Sequence, residues 1–293
     1  MVADLKALVV VLGLALIVFV LTKRIFLRFM TEEAFTFRRN LWIFLTAAGF
    51  LIPNGAVYFL VAGVVVFWAG RKESNPIALW VILFHAVPPT RFKLPSMGLD
   101  NLFPIDQYRL MALVLLLPWA LRLMQSGDKE QNRSIRVIDW LIIAYGTLEI
   151  AKLMPYETVT STIRRIFLSC LDIWLVYYVI SRSLRTRERM NEVLAMFCLV
   201  CAVHAPVAAF EAVRTWPLYA GIAANWGAGS AYVFRAEVLR ALSSAGHPLA
   251  LGYMIAVAFG FWMHLRNRVK PRYVELGFAA WLWMGLIAAY SRA

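Results

Sequence analysis

Charged residues are scarce in this chain of 293 residues, where they make up 16% of the sequence. Hydrophobic residues make up 61%, and the mean hydropathy is +0.68. Soluble domains have about 45–50% apolar and about 25% charged residues. The shortage of charge therefore excludes a soluble globular enzyme, a coiled coil and a disordered chain. It indicates a polytopic membrane protein with little mass outside the bilayer.

Cysteine is also rare, and the three cysteines, Cys170, Cys198 and Cys201, all lie in apolar stretches, which argues against a disulfide framework. The Cys198-x-x-Cys201 spacing lacks the second Cys or His pair that a zinc site needs. The chain has no P-loop, G-x-G-x-x-G, H-E-x-x-H or G-x-S-x-G motif, and no Asp-x-Asp in a predicted outer loop. We therefore expect no cofactor and no metal, so that any glycosyl or phosphoryl transfer would be metal-independent.

Apolar segments of membrane-helix character recur along the whole chain. They predict an all-α fold of about ten transmembrane helices in a single membrane domain, residues 1–293. The predicted spans are Leu5–Thr22, Leu41–Ile52, Ala56–Ala69, Ile77–Val87, Tyr108–Leu123, Val137–Leu153, Ile166–Ile180, Val193–Phe210, His247–Leu265 and Tyr273–Tyr290.

Lysine and arginine are concentrated in alternate loops between these spans. The net charge of +13 would suggest nucleic acid in a soluble protein, but here it indicates topology, and we expect no nucleic-acid partner. The basic loops at 70–76, 122–136, 182–192 and 266–272 alternate along the chain and so belong to one face, which the positive-inside rule makes cytoplasmic.

The Pro53-Asn54-Gly55 triplet is typical of a turn and leaves two topologies open. The preferred interpretation is a hairpin of two short helices, which adds the basic loop 22–40 to the cytoplasmic face and puts the N-terminus outside. A single long broken helix is the alternative, and it would move only the N-terminus and that loop.

The predicted outer loops are 88–107, 154–165 and 211–246, of which the last is the longest and is rich in aromatic residues and glycine. Such a loop can stack on sugar rings, although tryptophan and tyrosine also form the interfacial belt of any membrane protein. Arginines at the outer ends of spans are candidates for binding a diphosphate through bidentate contacts, or else for headgroup contacts and ion pairs. They are Arg164, Arg165, Arg214, Arg235, Arg240 and Arg292.

A few ionisable residues fall inside predicted spans, where such groups are functional candidates. Asp139, Glu149, Lys152 and Asp172 are the charged ones, and an internal ion pair is the more common fate for them. Glu149 and Lys152 are three residues apart and can pair on one helical face. His85 and His204 stand close to prolines in apolar segments, which is typical of a structural role.

The segment from Arg240 to Gly252, with the sequence RALSSAGHPLALG, resembles the R-x-x-G-x-x-x-x-P-N-x-L-G motif of the O-antigen ligase and polymerase family of membrane glycosyltransferases. Tyr290-Ser291-Arg292 resembles the T-x-S-R-G motif of the same family. Ser243 or Ser244 stands where that family often has glycine, Leu249 replaces its asparagine, and Ala293 replaces the last glycine. By this resemblance, residues 240–293 would begin the core region of the family.

The resemblance implies an inverting, metal-independent glycosyltransferase of the GT-C type in the bacterial inner membrane, with its active face in the periplasm. The donor would be an undecaprenyl-diphosphate-linked glycan among membrane lipids, and the acceptor would be lipid A-core or a second lipid-linked glycan. Arginines would stabilise the charge that grows on the leaving diphosphate. Family members carry a catalytic histidine in a later outer loop, so we expect residues 1–293 alone to be inactive.

Two other functions are consistent with the composition. A secondary transporter or lipid-carrier flippase would be favoured if Glu149, Lys152 and Asp172 line a cavity at mid-membrane depth. A glycosyltransferase would be favoured by a polar cavity that opens outward beside Arg240 and Arg292, whereas a non-catalytic scaffold would have no outer cavity.

Overall fold

A computed structural model describes residues 2–93, 104–125, 133–228, 234–235 and 238–289 of the protein. Helices dominate this part of the chain. They are α1 (Val2–Phe26), α2 (Glu32–Leu51), α3 (Gly55–Lys72), α4 (Pro76–Leu83), α5 (Gln107–Met111), α6 (Leu117–Gln125), α7 (Arg133–Leu153), α8 (Val159–Ser169), α9 (Leu175–Ser183), α10 (Arg187–Arg214), α11 (Ala220–Asn225), α12 (Pro248–Leu265) and α13 (Arg272–Ala289).

Two pairs of consecutive helices, α5 with α6 and α8 with α9, are each joined through a π-helical turn without a break. The turn Ala112–Leu116 joins α5 to α6, and the turn Cys170–Trp174 joins α8 to α9. Four short strands form two antiparallel hairpins, β1 (Arg91–Lys93) with β2 (Pro104–Asp106), and β3 (Phe234–Arg235) with β4 (Val238–Leu239). Both hairpins lie in predicted outer loops, so the helical fold class holds for the body of the protein and these loops add small β elements to it.

Five helices in the described part are long and apolar enough to cross a membrane. They are Ala3–Phe26, Gly55–Lys72, Gln107–Gln125, Arg187–Arg214 and Pro248–Arg268. The protein is thus a helical protein with several membrane-type helices. The predicted span Ile77–Val87 needs a correction, because α4 has only eight residues, about 12 Å at 1.5 Å per residue. Residues 84–90 continue it as buried non-helical chain, which is tolerated at membrane depth only inside protein.

α10 is the central helix, and α1, α4, α12 and α13 pack around it. Its burial follows from its composition, since alanine, valine and cysteine are frequent and polar residues are few between Val193 and Ala208. α13 approaches α10 closely because Gly285 has no side chain: a Cβ there would lie 2.7 Å from the Cβ of Ala205. Small residues at such crossings are the usual means of close helix packing in membranes.

The hairpin prediction for residues 41–69 is confirmed by an ion pair across the two helices. Arg38, near the start of α2, donates to both carboxylate oxygens of Glu73, just after α3, at 3.0 and 2.8 Å. In a single straight helix these residues would be about 50 Å apart. Asn54 caps α3 by accepting from the amides of Ala56 and Val57.

Four of the five basic loops meet at one end of the protein, as the sequence predicts. Arg38 also pairs with Glu192 at 2.7 Å, which brings the loops 22–40, 70–76 and 182–192 together. Arg28 donates to the carbonyls of Arg268 and Lys270, in the loop 266–272. The fifth loop, 122–136, is described only at its two ends, and α6 before it is joined to the end of α9 because Trp119 donates to Ser183 at 3.0 Å. We call this the basic end.

Candidate functional site

A cavity of about 290 Å³ lies at the end of the protein opposite the basic end. Residues 89–90, 106–108, 211–228 and 242–247 contribute to its walls. These segments belong to two of the three predicted outer loops, 88–107 and 211–246, together with the start of α12. The cavity is therefore built by the loops that the topology puts on the outer face.

Glu211, in the last turn of α10, organises two walls of the cavity. Its carboxylate is fully buried and accepts the backbone amide of Leu218 at 2.9 Å. The other oxygen accepts the amides of Leu242 and Ser243 at 2.9 and 2.8 Å. Hydrogen bonds to a charged acceptor are stronger than neutral ones. One carboxylate thus fixes both the loop after α10 and the turn before α12.

The segment that resembles the glycosyltransferase motif forms the wall at this turn. Ser243 and Gly246 both have positive φ, +46° and +72°. Gly246 lies against Pro89, and a Cβ there would be 3.2 Å from the proline ring, so the positive φ and the tight space both favour glycine. His247 then caps α12 by accepting the amide of Leu249 at 3.1 Å, and its imidazole is exposed at the cavity.

Two buried hydroxyl groups on residues of the cavity wall have no hydrogen-bond partner in the part of the chain that the structure describes. They belong to Thr90 and Tyr219, each 3% exposed. Burial raises the pKa of Tyr219 well above its usual value, as does the nearby Glu211 carboxylate, so this hydroxyl remains a donor at neutral pH. Buried polar groups normally have a partner. A polar ligand that reached them from the cavity would supply the missing partner.

The aromatic residues of the loop 211–246 divide between structural and cavity positions. Trp226 donates its indole N–H to the carbonyl of Pro53 at 3.0 Å and stacks on Tyr58, with ring centroids 4.8 Å apart. It therefore holds the α2–α3 turn. Tyr219 lines the cavity, and Tyr108 contributes a second aromatic ring from the start of α5.

The six arginines selected from the sequence do not form one cluster in the described part. Arg164 and Arg165 line a separate cleft on α8 together with Glu157. Arg165 pairs with Glu157, and this hydrogen bond lowers the pKa of Glu157. An ion pair thus occupies Arg165, whereas the buried Nε of Arg164 has no partner among the described residues. Arg214 is exposed at the end of α10.

Arg240 is the candidate that the fold places beside the cavity wall. It stands two residues before Leu242, and its buried Nε has no partner in the described ranges. The amide of the next residue, Ala241, donates to the carbonyl of Ala288 at 3.2 Å. The segment that carries Arg240 therefore meets the end of α13. Arg292 and the side chain of Arg235 lie outside the described residues.

Comparison with known proteins identifies no relative. The chain matches no protein family, no curated protein and no solved structure. The function must therefore be argued from the geometry of the cavity.

Sequence reasoning missed one arginine at the outer end. Arg109, in α5, donates to both oxygens of Asp172 at 2.8 to 3.2 Å and pairs with Asp106 at 3.1 Å. Asp106 lines the cavity and also caps α5 by accepting the amide of Arg109. The available clue was the position of Arg109 at the outer end of the span Tyr108–Leu123, beside an acidic residue three positions earlier.

Proposed function

We propose that this protein is a bacterial inner-membrane glycosyltransferase of the O-antigen ligase and polymerase type, with about ten spans in a GT-C-like arrangement. Its outward cavity would bind an undecaprenyl-diphosphate-linked glycan at the periplasmic face. The acceptor would be lipid A-core or a second lipid-linked glycan. The observation that carries the proposal is that five residues of the segment that resembles the family motif line a cavity of mixed polar and apolar surface opposite the basic end, namely Leu242, Ser243, Ala245, Gly246 and His247.

The chemistry of the cavity wall suits a ligand rich in hydroxyl groups. Thr90 and Tyr219 carry hydroxyls without a partner among the described residues, and Asp106 brings a carboxylate to the same wall. Tyr108 and Tyr219 supply aromatic rings beside these polar groups. Binding sites of this kind combine apolar surface with a few polar groups that fix orientation.

Arg240 supplies the positive charge that a diphosphate needs. Its guanidinium is planar, cannot lose its charge and matches two phosphate oxygens at once. The hydrogen bond from Ala241 to Ala288 brings the segment of Arg240 to the end of α13, four residues before Arg292. In the proposed complex the glycan lies in the cavity and the diphosphate lies at this junction.

The transporter alternative is less favoured by the charged residues of the spans. Asp172 is paired with Arg109, while Glu149 and Lys152 are exposed on the surface of α7. A transporter is expected to have a cavity at mid-membrane depth that is lined by all three residues. Such a cavity would require the three side chains to lie close together.

Binding of a lipid-linked glycan to the purified protein in nanodiscs tests the proposal. Native mass spectrometry should detect undecaprenyl-diphosphate oligosaccharide, and Arg240→Lys should weaken its binding about 10- to 100-fold, since a charge-assisted contact is worth about 1.5–3 kcal/mol. Arg187→Lys, at the exposed start of α10 at the basic end, is the matched control and should bind normally. Equal binding of undecaprenyl phosphate without a glycan would contradict the proposal.

Tyr219→Phe should move stability and binding in opposite directions. Removal of a buried hydroxyl without a partner ends a desolvation penalty of about 1–3 kcal/mol, so the free protein should melt at an equal or higher temperature. The same variant should bind the lipid-linked glycan less tightly. A lower melting temperature would show that the hydroxyl has a structural partner instead.

A further inference from the structure

Ser243 combines three features that are unusual in one serine. Its backbone is left-handed, with a φ of +46°. The residue belongs to the wall of the outer cavity, where it is 1% exposed. Its hydroxyl lies 2.8 Å from Nδ1 of His204, on the buried face of α10. A non-glycine residue at positive φ is strained, and such strain is concentrated at functional sites.

The hydrogen bonds around His204 determine which ring nitrogen carries the proton. Ser244 donates its single hydroxyl hydrogen to the carbonyl of His85 at 2.8 Å. The Ser244 oxygen lies 3.4 Å from Nε2 of His204, and it can then only accept a hydrogen bond from that nitrogen. Nε2 therefore carries the hydrogen and Nδ1 presents its lone pair. It follows that the Ser243 hydroxyl donates to Nδ1.

The position of His204 keeps this arrangement in place. The imidazole is 1% exposed and packs against the rings of Trp42 and His85, at centroid distances of 6.3 and 5.5 Å. On the other side of the turn, Glu211 holds the amide of Ser243. The serine and the imidazole are thus fixed independently, by two different parts of α10, which is the preorganisation that proton transfer requires.

We propose that Ser243 is a nucleophilic serine activated by His204, and that the outer cavity cleaves a carboxylic ester. This activity is distinct from glycosyl transfer and does not depend on it. The Ser243–His204 pair has the relation of nucleophile to base that defines activated serines. The strained backbone of Ser243 is a feature shared with nucleophiles held on sharp turns.

The reaction balances with water as the only co-reactant. Ser243 Oγ forms a bond to the ester carbonyl carbon while its proton passes to Nδ1 of His204. The bond from that carbon to the alkoxy oxygen breaks, and the leaving alkoxide takes the proton from His204. Water then attacks the acyl-serine and gives a proton to Nδ1, and Ser243 Oγ recovers it as the carboxylic acid leaves. The proposed donor to the oxyanion is the buried hydroxyl of Tyr219, a residue of the same cavity wall, which has no partner among the described residues.

Labelling with a fluorophosphonate tests this proposal on the purified chain in detergent. Ser243 Oγ should displace fluoride from phosphorus, and peptide mass spectrometry should find the phosphonyl group on Ser243. In His204→Gln the labelling rate should fall at least about 100-fold, the usual scale of general-base assistance. No label on Ser243 in the wild-type protein, or an equal rate in folded His204→Gln, would overturn the proposal.

Two further variants keep the test decisive if His204→Gln does not fold. Ser244→Ala retains both reacting atoms but removes the acceptor that holds the hydrogen on Nε2, so labelling should slow about fivefold. An unchanged rate in this variant would contradict the tautomer argument. Ser183→Ala, at the basic end beside Trp119, is the matched control and should label Ser243 at the wild-type rate. Loss of glycan binding with normal labelling would count against the proposed glycosyltransferase only.

Discussion

Replacement of Arg38 by leucine is expected to destabilise the protein by about 3–5 kcal/mol, because it leaves two carboxylates buried without their cation. Arg38 is fully buried and pairs with Glu73 and Glu192, whose side chains are 4% and 15% exposed. The variant should show a large fall in the thermal unfolding temperature in detergent. It should also loosen the basic end, since this cluster joins α2, the loop after α3, and α10.

The neighbouring arginine provides the control for this experiment. Arg39 is half-buried and bonds only to Asn40 among the contacts described for it, so Arg39→Leu should change stability by at most about 0.5 kcal/mol. The triple variant Arg38→Leu, Glu73→Gln and Glu192→Gln should recover much of the loss, because it removes the uncompensated charges as well. An Arg38→Leu protein with the wild-type unfolding temperature would show that this cluster is unimportant for stability.

Glu211→Gln is expected to collapse the outer cavity and to cost about 3 kcal/mol or more. The carboxylate accepts three backbone amides through its two oxygens. An amide side chain keeps one acceptor oxygen and turns an N–H₂ group towards the remaining N–H donors. Hydrogen bonds to charged groups are worth about 1.5–3 kcal/mol each. Thermal unfolding and binding of the lipid-linked glycan should both deteriorate in this variant.

A glutamate in the first turn of the same helix is the matched control. Glu188 is exposed, so Glu188→Gln removes one carboxylate from α10 and should leave both measurements close to wild type. Normal unfolding and binding in Glu211→Gln would mean that the turn at Leu242 and Ser243 is held by other contacts. The role of Glu211 in shaping the cavity would then have to be abandoned.

The sequence alone determined the helical membrane-type class, the positions of most helices and the sharing of one face by the basic loops. These are properties of local composition, since hydropathy and Lys/Arg content are read within windows of about 20 residues. The same local view overestimated α4, because an apolar segment of eleven residues does not reveal that its last four residues are non-helical. Asn75 and Pro76 mark its beginning clearly, whereas its end depends on the contacts of Ala86 and Val87 in the core.

Only the tertiary structure decided which polar residues meet. Glu211 lies 31 and 32 residues from the amides it holds at Leu242 and Ser243. Arg109 lies 63 residues from Asp172, and no spacing rule relates such positions. From the sequence, Arg164, Arg165 and Arg240 were all candidates at the outer ends of spans, and only the family resemblance favoured Arg240. Folding paired Arg165 with Glu157 and placed Arg240 beside the cavity wall, because the packing of α10, α12 and α13 determines which loops share a space.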